Sequence, residues 1–98
     1  MSIFKSQEKQ EKNAESVYET AKKYLKPKDG KIHITMFDSS GKTFSQPFEC
    51  ESKYTTEIDT ILFAMQEDGY EIVDIKISTD YIQGTIPTTN FHTLIMYK

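Results

Sequence analysis

Between Thr56 and Ser78 the hydrophobic period of the chain changes once, at a single glycine. Before Gly69, the residues Ile58, Ile61, Leu62 and Met65 recur at the three-and-four spacing of one helical face, with Phe63 widening the stripe. After it, Val73, Ile75 and Ile77 alternate with Asp74, Lys76 and Ser78 at the two-residue spacing of a strand. Glycine closes a helix because it takes positive φ without steric penalty, and Tyr70 stands where such a cap makes its hydrophobic contact. A helix joined so tightly to a strand covers one face of the sheet it leads into, which places the chain in the α+β class.

The flanking residues extend this pattern. From about Ser6 to Lys26 there is no Gly or Pro, and Ala14, Val17, Tyr18, Ala21 and Leu25 share one helical face until Pro27 stops the helix. Lys28-Asp29-Gly30 reads as a turn, followed by a strand over Lys31 to Asp38 with Ile32, Ile34 and Met36 on one face and His33, Thr35 and Phe37 on the other. Asp38-Ser39-Ser40-Gly41 has hairpin-loop composition, and a returning strand is expected over Thr43 to Glu49, at an edge because Pro47 removes a donor. Thr56 with Asp59 resembles a capping box for the second helix, over Thr56 to Asp68. After the strand at Glu71 to Ser78, a connection over Thr79 to Thr89 contains Gly84 and Pro87. The last strand, Asn90 to Lys98, carries apolar groups on both faces. The expected chain order is α-β-β-α-β-β, with a four-stranded antiparallel sheet in the order 2-1-3-4. The 98 residues suffice for one core, so 1–98 reads as a single domain: an N-terminal amphipathic helix over 1–28 and a β-β-α-β-β body over 29–98.

The net charge of -3 divides unevenly along the chain. Residues 1–28 carry seven Lys against four Glu, while residues 29–98 carry five Lys against eleven Asp or Glu. An acidic body is a poor surface for phosphates, and with no Arg in the chain the planar fork that reads guanine or grips phosphate is missing. A nucleic-acid contact would fall to Lys9, Lys12, Lys22, Lys23 and Lys26, which read more simply as a solvated helix face. No apolar run approaches the ~18 residues of a membrane span. Residues 1–12 lack the apolar stretch of a secretory signal, so a cytoplasmic location is expected; the single Cys50 is compatible with it.

Chemistry-bearing patterns are weak. Gly41-Lys42-Thr43 has the tail of a phosphate loop, but Met36 stands where that motif needs its first glycine. His33, His92 and Cys50 are zinc-donor types without paired short spacing, so no metal or other cofactor is expected. Cys50 lies between Glu49 and Glu51, whose charge disfavours the thiolate a nucleophile needs.

The segment Ile58 to Ile75, and above all Asp68-Gly69-Tyr70-Glu71-Ile72-Val73, resembles the helix-turn-strand signature of short uncharacterised bacterial proteins. In those, an amphipathic helix closes on Glu-Gly-Trp-Glu-Leu-Val. The match covers about a fifth of the chain, with Tyr70 in the place of Trp and Asp68 in the place of Glu. It implies a fold and carries over no catalytic residue.

The residues therefore point to a non-catalytic binding or protein-interaction module that self-associates or binds another protein. Its contact is expected at Val17, Tyr18, Ala21 and Leu25 of the first helix or at Tyr81, Ile82 and Ile86 of the later connection. The alternative is a small-ligand-binding domain or small enzyme with a pocket between the sheet and the N-terminal helix.

Overall fold

The computed structural model describes residues 3–42, 50–85 and 87–98. Helix α1 spans Ile3–Ala21 and tightens into one 3-10 turn at Lys22–Tyr24; strand β1 spans His33–Lys42, helix α2 Lys53–Glu67, strand β2 Ile72–Ile82 and strand β3 Thr88–Tyr97. The strands form one antiparallel sheet in the order β1-β3-β2. Because β3 is antiparallel to both neighbours, β1 and β2 run in the same direction, and β1, α2 and β2 make a crossover into whose gap the last strand inserts.

This corrects the four-stranded order 2-1-3-4. The segment Asp38-Ser39-Ser40-Gly41 is the second half of β1, in register with His92 to Thr89 of β3. Loop composition there is overridden by cross-strand pairing: the Ser40 hydroxyl donates to Asn90 at 2.7 Å and the Ser39 hydroxyl donates to Glu57 of α2 at 2.6 Å. Residues 43–49, the expected returning strand, lie outside the described residues. The last strand, which the expected order puts at an edge, is the central one. Most of the expected connection over Thr79 to Thr89 is ladder, with β2 running to Ile82 and β3 starting at Thr88.

Both helices lie on one face of the sheet. The core joins Ala14 and Tyr18 of α1, Tyr54, Ile58, Ile61 and Met65 of α2, Phe37 of β1, and Ile95 and Tyr97 of β3. Met65 and Ile95 are fully buried. The tyrosine and threonine hydroxyls that enter this layer are paired, as burial requires. Tyr54 Oη and Thr93 Oγ1 share a hydrogen bond, and the Tyr97 hydroxyl accepts from the Lys26 N–H at 2.9 Å, tying the chain after α1 to the end of β3. At the α1–α2 seam the Tyr18 hydroxyl donates to Asp68 at 2.7 Å. Burial first, and then the Asp68 carboxylate, push the Tyr18 phenol up. The Tyr18 hydrogen bond, helped by Lys22 and Lys28, holds Asp68 below the usual carboxylate range.

The ends of α2 show how local sequence sets the fold. The helix begins three residues before the expected Thr56–Asp59 box, because the Glu51 carboxylate accepts from the Tyr54 and Thr55 N–H groups, each at 2.7 Å. At the other end the Gly69 N–H donates to the Gln66 carbonyl and the Tyr70 N–H to the Met65 carbonyl, the double closure of a Schellman cap, with Gly69 at φ 92°. Tyr70 then meets Tyr97 edge-on at 5.4 Å and carries the Lys28 ammonium 4.7 Å above its ring. The chain enters β2 directly from this cap, and the cap therefore positions that strand.

Candidate functional site

The second face of the sheet carries no layer among the described residues. Pairing places Phe37, Thr93, Ile95 and Tyr97 under the helices, so by alternation Ile34, Met36, Leu94 and Met96 point the other way. Ile34 and Met36, the more apolar stripe of β1, are 58% and 59% exposed.

Beyond this apolar strip the same face turns polar. His92 of β3 sits between Asp38 of β1 and Asp80 of β2: Nδ1 is 2.7 Å from Asp38 Oδ1 and Nε2 is 2.8 Å from Asp80 Oδ2. One imidazole thus links all three strands. With a carboxylate at each ring nitrogen, the doubly protonated ring donates on both sides, whereas a neutral ring would turn a lone pair on one of them. The Asp38 hydrogen bond, and then that of Asp80, raise the His92 pKa above its ordinary 6.5. A raised folded-state value means that the clasp stabilises fully below the unfolded-state pKa and loses its contribution as pH climbs through the folded one. NMR titration of the His92 ring is expected to show a midpoint above 6.5 that falls when Asp38 is changed to Asn; a midpoint unmoved by Asp38→Asn contradicts the clasp. The carboxylates stand on opposite sides of the ring, which suits a cross-strand link and does not converge on a metal; among the described residues no group of three His, Cys, Asp or Glu side chains is placed to hold one. Two carboxylates against one imidazolium leave a residual negative charge at this end of β2.

The outer side of β2 is the third feature. β2 is an edge strand of eleven residues. It exposes Val73, Ile77, Tyr81 and Ile82, with Ile77 at 58%, Tyr81 at 55% and Ile82 at 52%. The Ile75 N–H donates to its neighbour Asp74 Oδ1 at 2.8 Å. That bond turns the Ile75 amide away from β3 and, by alternation, turns the amides of Ile77, Thr79 and Tyr81 outward as well. Natural edges are blunted by short length, proline or charge. Here the blunting consists of a bulge between Ile72 and Asp74, the Asp74 bond to Ile75, and Lys76. From Ile77 to Ile82 the edge exposes Ile77, Tyr81 and Ile82, and among the described residues no strand pairs with its outer side.

The residues expected to make contacts divide between these surfaces. Tyr18 is buried at the α1–α2 seam, Ala21 and Leu25 pack against the core, and Val17 is 51% exposed. Tyr81 and Ile82 are the last residues of β2, and Ile86 lies outside the described residues. Sequence reasoning did not single out Asp38, Asp80 and Lys76; Asp38 lies two residues beyond Met36 on the same strand face, a signal hidden by reading Asp38 to Gly41 as a loop. His33 bonds Asp29 at 2.9 Å. Cys50 is exposed. Gly41 and Lys42 continue β1, so no phosphate loop forms there.

The space between α1, α2 and β1, lined by Ala14, Val17, Phe37, Glu57, Ile58 and Ile61, measures about 80 Å³. At roughly 30 Å³ per water it holds two or three waters, far below the ~300 Å³ of a small-molecule site. A trough of about 500 Å³ runs along the solvent side of the α1–α2 seam, where Lys12 and Lys22 face Glu15, Glu19, Glu67 and Asp68. Two lysines against four carboxylates leave it mixed in charge and acidic on balance, a combination that selects no ligand class. No helix among the described residues is long and apolar enough to cross a membrane.

No protein-family model, curated protein or solved structure matches the chain.

Proposed function

We propose that this chain is a small non-catalytic protein-interaction module that self-associates, with the outer edge of β2 as its contact. One observation carries the reading: outward-facing main-chain donors and acceptors run beside exposed Ile77, Tyr81 and Ile82 on a strand edge that is unpaired among the described residues. Such an edge binds another strand by continuing the sheet, with main-chain hydrogen bonds giving affinity and alternate side chains giving selectivity. The helices support the edge from behind, since the Gly69 cap and the Tyr70–Tyr97 contact fix where β2 begins. Cytoplasmic residence fits the same reading and rests on the sequence alone.

Sedimentation equilibrium of the full chain, from micromolar to millimolar concentration, tests the proposal. The expected result is a weight-average mass that rises toward two chains. The mass of one chain throughout that range overturns it.

A further inference from the structure

The edge of β2 is self-complementary in one register, and this deepens the proposal above, on which it rests. Two identical edge strands meeting in a closed dimer are related by a two-fold axis perpendicular to the sheet. Such an axis keeps each face on its own side, so residues opposite each other must belong to the same face. The axis must then pass through a residue of β2.

An axis at Lys76 sets the two ammonium groups against each other. One at Ile77 sets Asp74 against Asp80 twice, and one at Asp80 sets that carboxylate against its own copy. An axis at Ile75 pairs Lys76 with Asp74 but places the contact on the bulge between Ile72 and Asp74, where the ladder is irregular. An axis at Thr79 brings Lys76 opposite Ile82 and makes no charge pair. An axis at Ser78 brings Lys76 opposite Asp80 twice, Ile75 opposite Tyr81 twice and Ile77 opposite Thr79 twice, with no like charges facing.

We infer that the partner of this edge is a second copy of the chain, paired antiparallel about Ser78 so that Lys76 of each copy meets the Asp38–His92–Asp80 clasp of the other. The main chain agrees with this register. The amides of Ile75, Ile77, Thr79 and Tyr81 face outward, so the Ile77–Thr79 pairs exchange N–H···O=C bonds. The Ile75–Tyr81 pairs do so once Asp74 releases the Ile75 N–H. Lys76–Asp80 and Ser78–Ser78 then fall at the closer, non-hydrogen-bonded positions, where side chains interact most strongly. The charges agree as well: the clasp carries two carboxylates on one imidazolium, and the incoming ammonium supplies the missing positive charge. Lys76 is free to move, since its pairing with Asp74 at 3.3 Å is a surface contact with the side chain 69% exposed. The product is a continuous six-stranded antiparallel sheet with all four helices on one face.

Charge exchange tests the register. Lys76→Asp alone and Asp80→Lys alone each set like charges opposite one another at both symmetry-related positions, and each is expected to weaken association by about tenfold or more. The double variant, Lys76→Asp with Asp80→Lys, restores opposite charges and is expected to recover most of the loss. As a check independent of the clasp, Ser78→Cys in a Cys50→Ser background is expected to oxidise to a covalent dimer, because two cysteines facing on the axis meet disulfide geometry. A wild-type dimer with no rescue in the double variant and no Ser78→Cys crosslink overturns this register while leaving self-association intact. A wild-type monomer at all concentrations overturns both.

Discussion

Replacing Ile95 with alanine is expected to lower the free energy of unfolding by about 3–4 kcal/mol, the cost of a buried aliphatic truncation that leaves a cavity. Ile95 is fully buried near the C-terminal end of the central strand, paired to Thr35 on one side and Ile75 on the other, and it belongs to the cluster that α2 covers with Ile58, Ile61 and Met65. A domain of this size has only about 5–10 kcal/mol of stability to lose, so the variant should populate unfolded chain visibly under mild denaturant. Urea unfolding reads the effect as a lower midpoint with an unchanged slope. Ile77→Ala provides the contrast within the same sheet. Ile77 is 58% exposed, and its truncation should move the midpoint by the equivalent of about 0.5 kcal/mol or less. Comparable shifts for the two would mean that the helix layer does not cover the centre of the sheet as described.

Thr93→Val should cost about 1–3 kcal/mol although the side chain keeps its shape, because the change strands the Tyr54 hydroxyl without its buried partner. Thr93 is fully buried, and Tyr54 is held beside it by stacking on Phe91 at 4.3 Å. Removing both hydroxyls, with Thr93→Val and Tyr54→Phe together, should cost less than the sum of the single changes, since neither group is then left unpaired. Additive costs in that double-mutant cycle would show that the two hydroxyls are satisfied separately.

The readable parts of the chain were those governed by local chemistry. Gly69 and Tyr70 sit where the change of hydrophobic period placed a helix cap, and Ile58, Ile61 and Met65 are on the buried side of α2, whereas Phe63, expected to widen that stripe, is exposed. Parts governed by distant partners were not readable. Asp38 to Gly41 has the composition of a turn, and only pairing with Asn90 and His92 of β3 makes it strand. The apolar residues on both faces of the last strand suggest a sheet covered on both sides, and the expected order 2-1-3-4 puts that strand at an edge; its place between β1 and β2 depends on a crossover that no local pattern encodes. The clasp was hidden for the same reason, since Asp38, Asp80 and His92 come from three separate strands and meet only in this topology. Tyr81 and Ile82 were legible as unusually apolar for a connection. That they end a long edge strand, beside Ile77, was not.

The central claim is that the outer edge of β2 is an association surface, and amide hydrogen exchange at Ile77 and Thr79 addresses it directly. Those amides point away from β3, so in isolated chains they should exchange as solvent-exposed groups. They are expected to slow as protein concentration rises, while the helical amides of α1 keep a constant rate. Exchange at Ile77 and Thr79 that is the same at low and high concentration would contradict it.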